Sequence, residues 1–290
     1  MMIEANGLCK KYPAFSLENI NIMLPEGYIM GFIGPNGSGK TTTIKLLMNL
    51  VKPDKGNIKL FGMEWDEQNE IQLKQRIGYV GEEQPFYDEM TVKWTSDFVS
   101  RFYPNWDDKV YNELMVQFNI DRKKKVGELS KGNRVKFALA LALSHKPDLM
   151  ILDEPTSGLD PIIRRDILKI LSKFIGDGKR SILFSTHITE DLDKIADYIT
   201  LINNGRLLIS CEKDEIINKI KKVHINNSEF EKIPPSFFIA HKSIGNEVIA
   251  VTSDFGAFES IYKNMTGKKP EVYAMDLSDI MLAYVKGEVC

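Results

Sequence analysis

A glycine-rich segment near the start of the chain carries the residue types that bind phosphate. It reads Gly34-Pro-Asn-Gly-Ser-Gly-Lys-Thr41 and has the spacing G-x-x-x-x-G-K-[ST]. Glycines let a backbone curl so that its N–H groups point inward, and the start of a following helix adds partial positive charge. Lys40 would neutralise the β- and γ-phosphates of a nucleotide, and the Thr41 hydroxyl would be a ligand of a bridging Mg²⁺. The residues expected to bind the nucleotide are Gly34, Asn36, Gly37, Ser38, Gly39, Lys40, Thr41 and Thr42.

Two adjacent carboxylates end an apolar run later in the chain. Asp153 and Glu154 follow four apolar residues, so a buried strand would deliver both acids beside the phosphate loop. Asp153 would hold Mg²⁺ directly or through water, and Glu154 would deprotonate the water that attacks the γ-phosphate. His187 ends the next apolar run and could contact the γ-phosphate from the same edge. The pattern predicts Lys40, Glu154 and His187 as catalytic, although an acid pair or a histidine at a strand end can also be structural.

A parallel sheet is required to bring these residues together. Short apolar runs separated by amphipathic helical stretches are typical of parallel strands joined by crossover helices, so the core is predicted to be α/β. The predicted strands span residues 28–33, 56–61, 76–80, 148–153, 181–185 and 198–202. The predicted helices span residues 41–50, 92–118 with a break near 103–105, and 277–285. The stretch around 92–118 indicates a separate helical lobe.

Composition excludes several classes of protein. The chain has 290 residues with 38 basic and 40 acidic side chains, so no global field would attract nucleic acid or anionic lipid. Cys9, Cys211 and Cys290 are widely spaced, which disfavours a disulfide framework or a zinc site and fits a reducing cytosol. The N-terminus lacks the apolar core of a secretory signal, and no apolar window approaches the length of a membrane span. Any membrane would therefore be supplied by another chain.

Over about residues 1–220, the ordered motifs resemble those of ABC transporter ATPase subunits. Besides the phosphate loop and the acid pair, Leu129-Ser-Lys-Gly-Asn133 resembles the ABC signature. In the family, the signature contacts the γ-phosphate held by the opposite subunit, which implies this role for Ser130 and Gly132. Lys131 stands where Gly is usual and Asn133 where Gln is usual. A Ser before a helix is also an ordinary N-cap, and the two roles are compatible.

The same resemblance implies roles for three further residues. Asp160 ends a segment that resembles the D-loop, which crosses the dimer interface and couples the two sites. Tyr12 resembles the aromatic residue that stacks on adenine, with Phe15 as a competitor. Glu82 stands where the Q-loop glutamine is usual and could still be an oxygen ligand of Mg²⁺. Gln84 could substitute for the missing amide if the loop bulged.

The resemblance implies the fold of a P-loop NTPase of the ABC ATPase type. We expect a parallel core sheet, an N-terminal antiparallel β region and an inserted helical lobe at about 82–145, all within an ATPase domain of residues 1–220. Beyond residue 220 the pattern changes to weaker strands, a Pro234-Pro235 break and a final helical stretch. Residues 221–290 are therefore predicted to form a small C-terminal α+β extension.

The resemblance also implies a function and a set of partners. Two subunits, identical or different, would sandwich ATP and Mg²⁺, and hydrolysis would power a separate integral-membrane subunit from the cytoplasmic face of the membrane. The protein would be peripheral, soluble in isolation and similar to drug or antibiotic exporter ATPases. A non-transport ABC ATPase acting on nucleic acid or ribosomes is the alternative, but the two fused halves, long coiled coil or basic arms usual there are not visible in this sequence. No nucleic-acid partner is expected.

Overall fold

The computed structural model describes residues 1–176 and 178–289, which form strands in three sheets and helices around them. The strands are β1 Ile3–Tyr12, β2 Phe15–Leu24, β3 Ile29–Ile33, β4 Lys55–Leu60, β5 Met63–Glu64, β6 Ile77–Val80, β7 Leu149–Asp153, β8 Ser181–Thr186, β9 Tyr198–Asn203, β10 Arg206–Glu212, β11 Lys222–Asn226, β12 Phe238–Ile244, β13 Glu247–Thr252 and β14 Glu271–Tyr273. The α-helices are α1 Lys40–Leu47, α2 Glu70–Arg76, α3 Val92–Ser100, α4 Asp108–Gln117, α5 Lys131–Ser144, α6 Pro161–Phe174, α7 Thr189–Ile195, α8 Lys213–Lys219, α9 Asn227–Phe230, α10 Phe255–Thr266 and α11 Leu277–Lys286.

The central sheet has the strand order β10-β9-β3-β8-β7-β6. Strands β9, β3, β8, β7 and β6 are parallel, and β10 is added antiparallel at one edge. Every residue of β3, β7 and β8 is buried, as expected for strands covered on both faces. The predicted α/β core with a parallel sheet is confirmed. Because parallel strands point the same way, the loops after β3, β7 and β8 leave the sheet at one edge.

The N-terminal region is the predicted antiparallel sheet, with the order β2-β1-β4-β5. Strand β2 alternates between buried and exposed positions, as a strand with one face on a core does. Leu17 and Ile20 on its inner face join one hydrophobic cluster with Phe32 of β3 and Ile44 of α1. This cluster fixes the hairpin between β1 and β2 beside the start of α1.

A helical lobe of α3, α4 and α5 follows β6. Side chains cap each helix at its N-terminus: Thr91 for α3, Asp107 for α4 and Ser130 for α5. The three helices share a hydrophobic cluster that contains Val92, Tyr111 and Phe137. The break predicted near residues 103–105 falls between α3 and α4, because residues 101–107 form turns before the Asp107 cap.

Helices α6 and α7 are joined by an ion pair with a buried carboxylate. Arg164 of α6 donates from Nη2 to Oδ1 of Asp191 on α7, at 2.8 Å, and Asp191 is only 1% exposed. A buried carboxylate without a cation would be strongly unfavourable, so the pair holds the two helices in one relative position. Helix α6 begins just after Asp160, and α7 begins two residues after His187.

The third sheet, β12-β13-β11-β14, lies within residues 222–273, with α10 packed on it through Phe258 and Tyr262. Helix α11 packs on both β12 of this sheet and α7, and its Leu277 and Ile280 join the same cluster as Leu192. The predicted C-terminal helix is therefore present, and its apolar face belongs to the main core. A domain boundary at residue 220 remains a prediction. Of the three cysteines, Cys9 and Cys211 are free thiols and Cys290 lies outside the described residues.

Candidate functional site

The predicted phosphate loop connects the end of β3 to the start of α1. Gly39 has φ of +114°, a conformation that favours glycine. A Cβ at this position would lie 2.6 Å from Leu17 and 2.9 Å from Phe15, so the β1–β2 hairpin closes directly onto the loop. The hydroxyl of Thr43 donates to the carbonyl of Gly39 at 2.9 Å and fixes the entry into the helix. The β1–β2 hairpin thus holds the loop on one side, and helix α1 holds it on the other.

Lys40 is buried at the start of α1 and contacts its own loop. Its Nζ donates to the carbonyl oxygens of Gly34 at 2.8 Å and of Pro35 at 3.3 Å. The same Nζ lies 3.2 Å from Oε1 of Glu154, and both side chains are 6% exposed. This last contact is an ion pair without a hydrogen bond, and Oε1 has no hydrogen-bond partner. The phosphate-loop lysine therefore compensates the charge of the second predicted acid.

Glu154 occupies a conformation that is rare for its residue type. Its φ is +51°, in the left-handed region, and its N–H donates to the carbonyl of Ser185 at 3.0 Å. This turn directs the side chain toward the loop instead of along β7. Its Oε2 lies 2.8 Å from Nδ1 of His187 and accepts the backbone N–H of the same residue at 3.3 Å. Strain of this kind is concentrated at functional sites.

Asp153 is the last residue of β7 and is fully buried beneath Glu154. Its Oδ1 accepts a hydrogen bond from the hydroxyl of Ser185, the residue paired with it on β8. The pKa of Tyr79 on β6 is raised by burial and, to a smaller extent, by the negative charge of Asp153. The sequence did not predict Ser185. A hydroxyl in register with a predicted acid on the neighbouring parallel strand is the signal that could have identified it.

A cavity of about 560 Å³ opens in front of the loop. Its lining residues are Ala14, Phe15, Asn36, Gly37, Gly39, Lys40, Thr41, Thr42, Glu82, Glu154, Ser157 and His187. Of the predicted nucleotide-binding residues, Gly34 and Ser38 lie behind this surface, and Ser38 is buried. Tyr12 also lies outside the lining, whereas Phe15, its competitor in the sequence, forms part of the wall.

The loop after β6 presents Glu82 to the cavity and turns Gln84 away from it. The amide of Gln84 donates to the backbone carbonyl of Gly81 at 2.8 Å and to that of Glu82 at 3.4 Å. Gln84 therefore stabilises the loop, and in this conformation its amide does not replace a glutamine at position 82. The carboxylate of Glu82 is exposed at the wall of the cavity.

The predicted signature and D-loop residues lie at two helix starts outside the cavity. Ser130 caps α5 by accepting the N–H of Asn133 at 3.3 Å, and Asp160 caps α6 by accepting two backbone N–H groups at 3.0 Å. Gly132 faces α6 so closely that a Cβ there would lie 2.6 Å from Ile163. The ammonium group of Lys131 lies beside Gly158 in the loop before α6. The two helix starts thus form one surface beside the cavity.

The donors present suit Mg²⁺ bound together with a triphosphate. Thr41 offers a hydroxyl and Glu82 a carboxylate at the cavity wall, and Asp153 lies behind them. Among the described residues there is no group of three or more His, Cys, Asp and Glu side chains that could hold a metal alone. When Mg²⁺ binds together with substrate phosphates, it usually keeps waters and takes one or two protein ligands.

A strand that ends in a glycine loop and a helix, with acids presented from a nearby parallel strand, defines a P-loop nucleoside triphosphatase. The family profile described as ABC transporter matches residues 17–157. The ABC transporter ATP-binding protein YtrB of Bacillus subtilis (strain 168) is 33% identical over 225 residues, which cover 77% of this chain and 76% of YtrB. The chain belongs to the family of ABC transporter ATP-binding proteins.

Two further comparisons agree with this assignment. The bacitracin transport ATP-binding protein BcrA of Bacillus licheniformis is 33% identical over 226 residues, which cover 76% of this chain and 73% of BcrA. A solved structure of the ATP binding subunit of an ABC transporter has a TM-score of 0.68 at 27% identity and covers 74% of this chain and 92% of that one.

The chain is thus an ATP-binding and ATP-hydrolysing subunit of an ABC transporter, and these comparisons do not support the nucleic-acid alternative. Among residues 1–176 and 178–289, no helix has the length and apolar character needed to cross a membrane.

Proposed function

We propose that this subunit hydrolyses ATP in a site completed by a second ATPase subunit and thereby powers export through a separate membrane subunit. The observation that carries the proposal is the position of Glu154, which contacts Lys40 on one side and His187 on the other at the wall of the cavity. A carboxylate held between a phosphate-binding lysine and a histidine can accept a proton from water beside a γ-phosphate.

The charged and hydroxyl side chains that act on the phosphates, the metal ion and water each have a role in this proposal. The phosphates of ATP attract Lys40 and so release Glu154, which then orients and deprotonates the attacking water. His187 contacts the γ-phosphate and keeps Glu154 in place through Nδ1. Thr41 and Asp153 would hold Mg²⁺, and the ion would neutralise charge that develops on the phosphates.

The second subunit is required because Ser130 and Gly132 do not reach the cavity of their own chain. A serine hydroxyl and free N–H groups at the start of α5 form a surface suited to an anion. We propose that this surface closes over the ATP bound by the second subunit, and that Asp160 and Asn133 lie in the interface. Loss of the γ-phosphate then weakens the interface and opens the dimer.

The membrane subunit has a candidate docking surface on the helical lobe. Trp94, Phe98 and Phe102 form one exposed stripe along α3 and beyond it, with neighbouring ring centroids 5.3 and 5.2 Å apart. Tyr87 extends the stripe toward the loop that carries Glu82. A contiguous exposed aromatic surface favours a protein partner. Binding there would keep the subunit at the cytoplasmic face of the membrane, and the resemblance to BcrA, a bacitracin transport protein, favours export.

Co-purification tests the membrane partner. We expect the tagged chain, extracted in mild detergent from its own cells, to bring down an integral-membrane protein, and we expect Phe102→Ser to lower the recovery several-fold because Phe102 is 63% exposed at the end of the stripe. Ile71→Ser, which removes an equally exposed apolar side chain on α2, is the matched control. Recovery of nucleic acid or ribosomes alone would contradict the transporter assignment.

Replacement of the two aromatic residues of the first hairpin identifies the adenine contact. Phe15 lines the cavity, so Phe15→Ala should weaken ATP binding by about 5- to 100-fold, the range expected when an aromatic side chain no longer stacks on a base. Tyr12→Ala should have a smaller effect, because Tyr12 lies outside the lining. The affinities for ATP and for tripolyphosphate should be measured for both variants, since only the former depends on a base contact. The reverse order of effects would restore Tyr12 to the role predicted from the sequence.

A further inference from the structure

Two residues that depart from the family pattern carry opposite charges and have no ionic partner. Glu82 lines the cavity, and Lys131 is the first residue of α5. Within residues 1–176 and 178–289, neither side chain makes an ion pair. Each is therefore available for a charge that another molecule provides.

Lys131 is placed where a positive charge is not compensated by its own helix. The first turn of α5 contains no acidic residue, and a cation at a helix N-terminus opposes the helix dipole. The other two cations near this end are neutralised, since Arg134 pairs with Asp88 at 2.6 Å and Lys136 pairs with Asp166 at 3.4 Å. Of these three cations of α5, Lys131 is therefore the one that can pair with an anion from another molecule.

The ammonium group of Lys131 rests on the loop that borders the cavity. It lies 2.9 Å from the position that a Cβ on Gly158 would occupy, and Gly158 has φ of +68°. The preceding residue, Ser157, lines the cavity, whereas Lys131 does not. Lys131 therefore approaches the loop from outside, on the surface that the proposed second subunit would contact.

Glu82 is presented to the cavity by a loop of fixed shape, because Gln84 holds the backbone on both sides of it. A carboxylate at this wall faces the incoming phosphates and repels them unless a cation lies near it. A cation from the closing surface of a second subunit would remove this repulsion.

We propose that Lys131 of one copy pairs with Glu82 of a second, identical copy when ATP closes the dimer. This inference rests on the proposed function and names its partner as a second copy of the same chain. In a two-fold interface, each contact between two residues occurs twice. Lys131 of each copy can therefore pair with Glu82 of the other, and both sites are compensated. A partner with neutral side chains at the two positions would leave an uncompensated acid at one site and an uncompensated cation at the other.

Mixing two charge-reversal variants tests the pairing. In a Glu154→Gln background, Glu82→Lys alone and Lys131→Glu alone should each weaken ATP-dependent dimerisation about tenfold or more, because each homodimer then has two like-charged contacts. An equimolar mixture of the two variants should dimerise like the parent, because both contacts in the mixed dimer are between opposite charges. Sedimentation with saturating ATP measures the dimer fraction, and far-UV circular dichroism with a thermal melt shows that each variant is folded.

The controls separate this inference from the function on which it rests. Glu83→Lys and Lys123→Glu change exposed charged residues that do not line the cavity, and they should dimerise normally both alone and mixed. Normal dimerisation of the two charge-reversal variants alone, or rescue by the double variant but not by the mixture, would overturn pairing between copies. A Glu154→Gln parent that stays monomeric with ATP would instead remove the proposed sandwich, and the pairing with it.

Discussion

Glu154→Gln should retain ATP binding and lose steady-state hydrolysis by about a hundredfold to ten-thousandfold, the range expected for removal of a general base. The amide has the size of the carboxylate but cannot accept a proton from water. It also releases Lys40 from an ion pair that ATP must otherwise break, so the affinity for ATP should not fall. Because the γ-phosphate then persists, a dimer should accumulate with ATP. Phosphate release, equilibrium nucleotide binding and sedimentation measure the three effects.

The matched control is Glu190→Gln, which neutralises an exposed acid on α7 three residues after His187. This variant should hydrolyse ATP at the rate of the parent. Near-parental turnover in Glu154→Gln would exclude Glu154 as the base, and the acid at the end of β7 would then be structural.

Lys40→Ala should weaken ATP binding by about a hundredfold. Each charge-assisted hydrogen bond to a phosphate contributes about 1.5 to 3 kcal/mol, and the variant also leaves the buried carboxylate of Glu154 facing the phosphates without a cation. Two unfavourable changes therefore act in the same direction. The measurement is equilibrium binding of ATP at saturating Mg²⁺, with ATP hydrolysis as a second readout.

Lys45→Ala provides the comparison, since Lys45 is exposed in the last turn of the same helix and touches none of these groups. Its affinity for ATP should match that of the parent. If Lys40→Ala bound ATP as the parent does, the triphosphate could not lie on this loop.

Local patterns in the sequence were sufficient to predict the part of the site that lies at the carboxyl ends of the parallel strands. The strands that end at Ile33, Asp153 and Thr186 are short, apolar and buried on both faces, and their run lengths alone predict them. Parallel strands share a direction, so Asp153 and His187 follow from that rule together with the motif order. The P-loop fold and the membership in the family are confirmed by the comparisons.

Contacts between distant segments could not be predicted in this way. Tyr12 and Phe15 face each other across the first hairpin, and only the packing of that hairpin on Gly39 places Phe15 at the cavity. The ion pair between Lys40 and Glu154 depends on a backbone turn with positive φ that no residue type in the segment indicates. The assignment of roles to these residues remains a prediction until the variants are measured.

The third sheet was predicted only in outline, because its strands are partly exposed and most of them lack continuous apolar runs. All three residues of β14 are exposed, and an apolar pattern cannot be recognised where no face is buried. Helix α11 was recognised because its apolar face is buried in the main core.

The buried ion pair between Arg164 and Asp191 makes a single mechanical unit of two helices that start at opposite sides of the catalytic machinery. Asp160, at the start of α6, lies on the outer surface beside the cavity, and His187, just before α7, lies inside it. Separation of the helices would leave the buried carboxylate of Asp191 without its cation, so we expect a displacement of one helix start to move the other. We therefore expect that a neighbouring subunit that moves Asp160 also shifts His187, and with it the contact to the γ-phosphate.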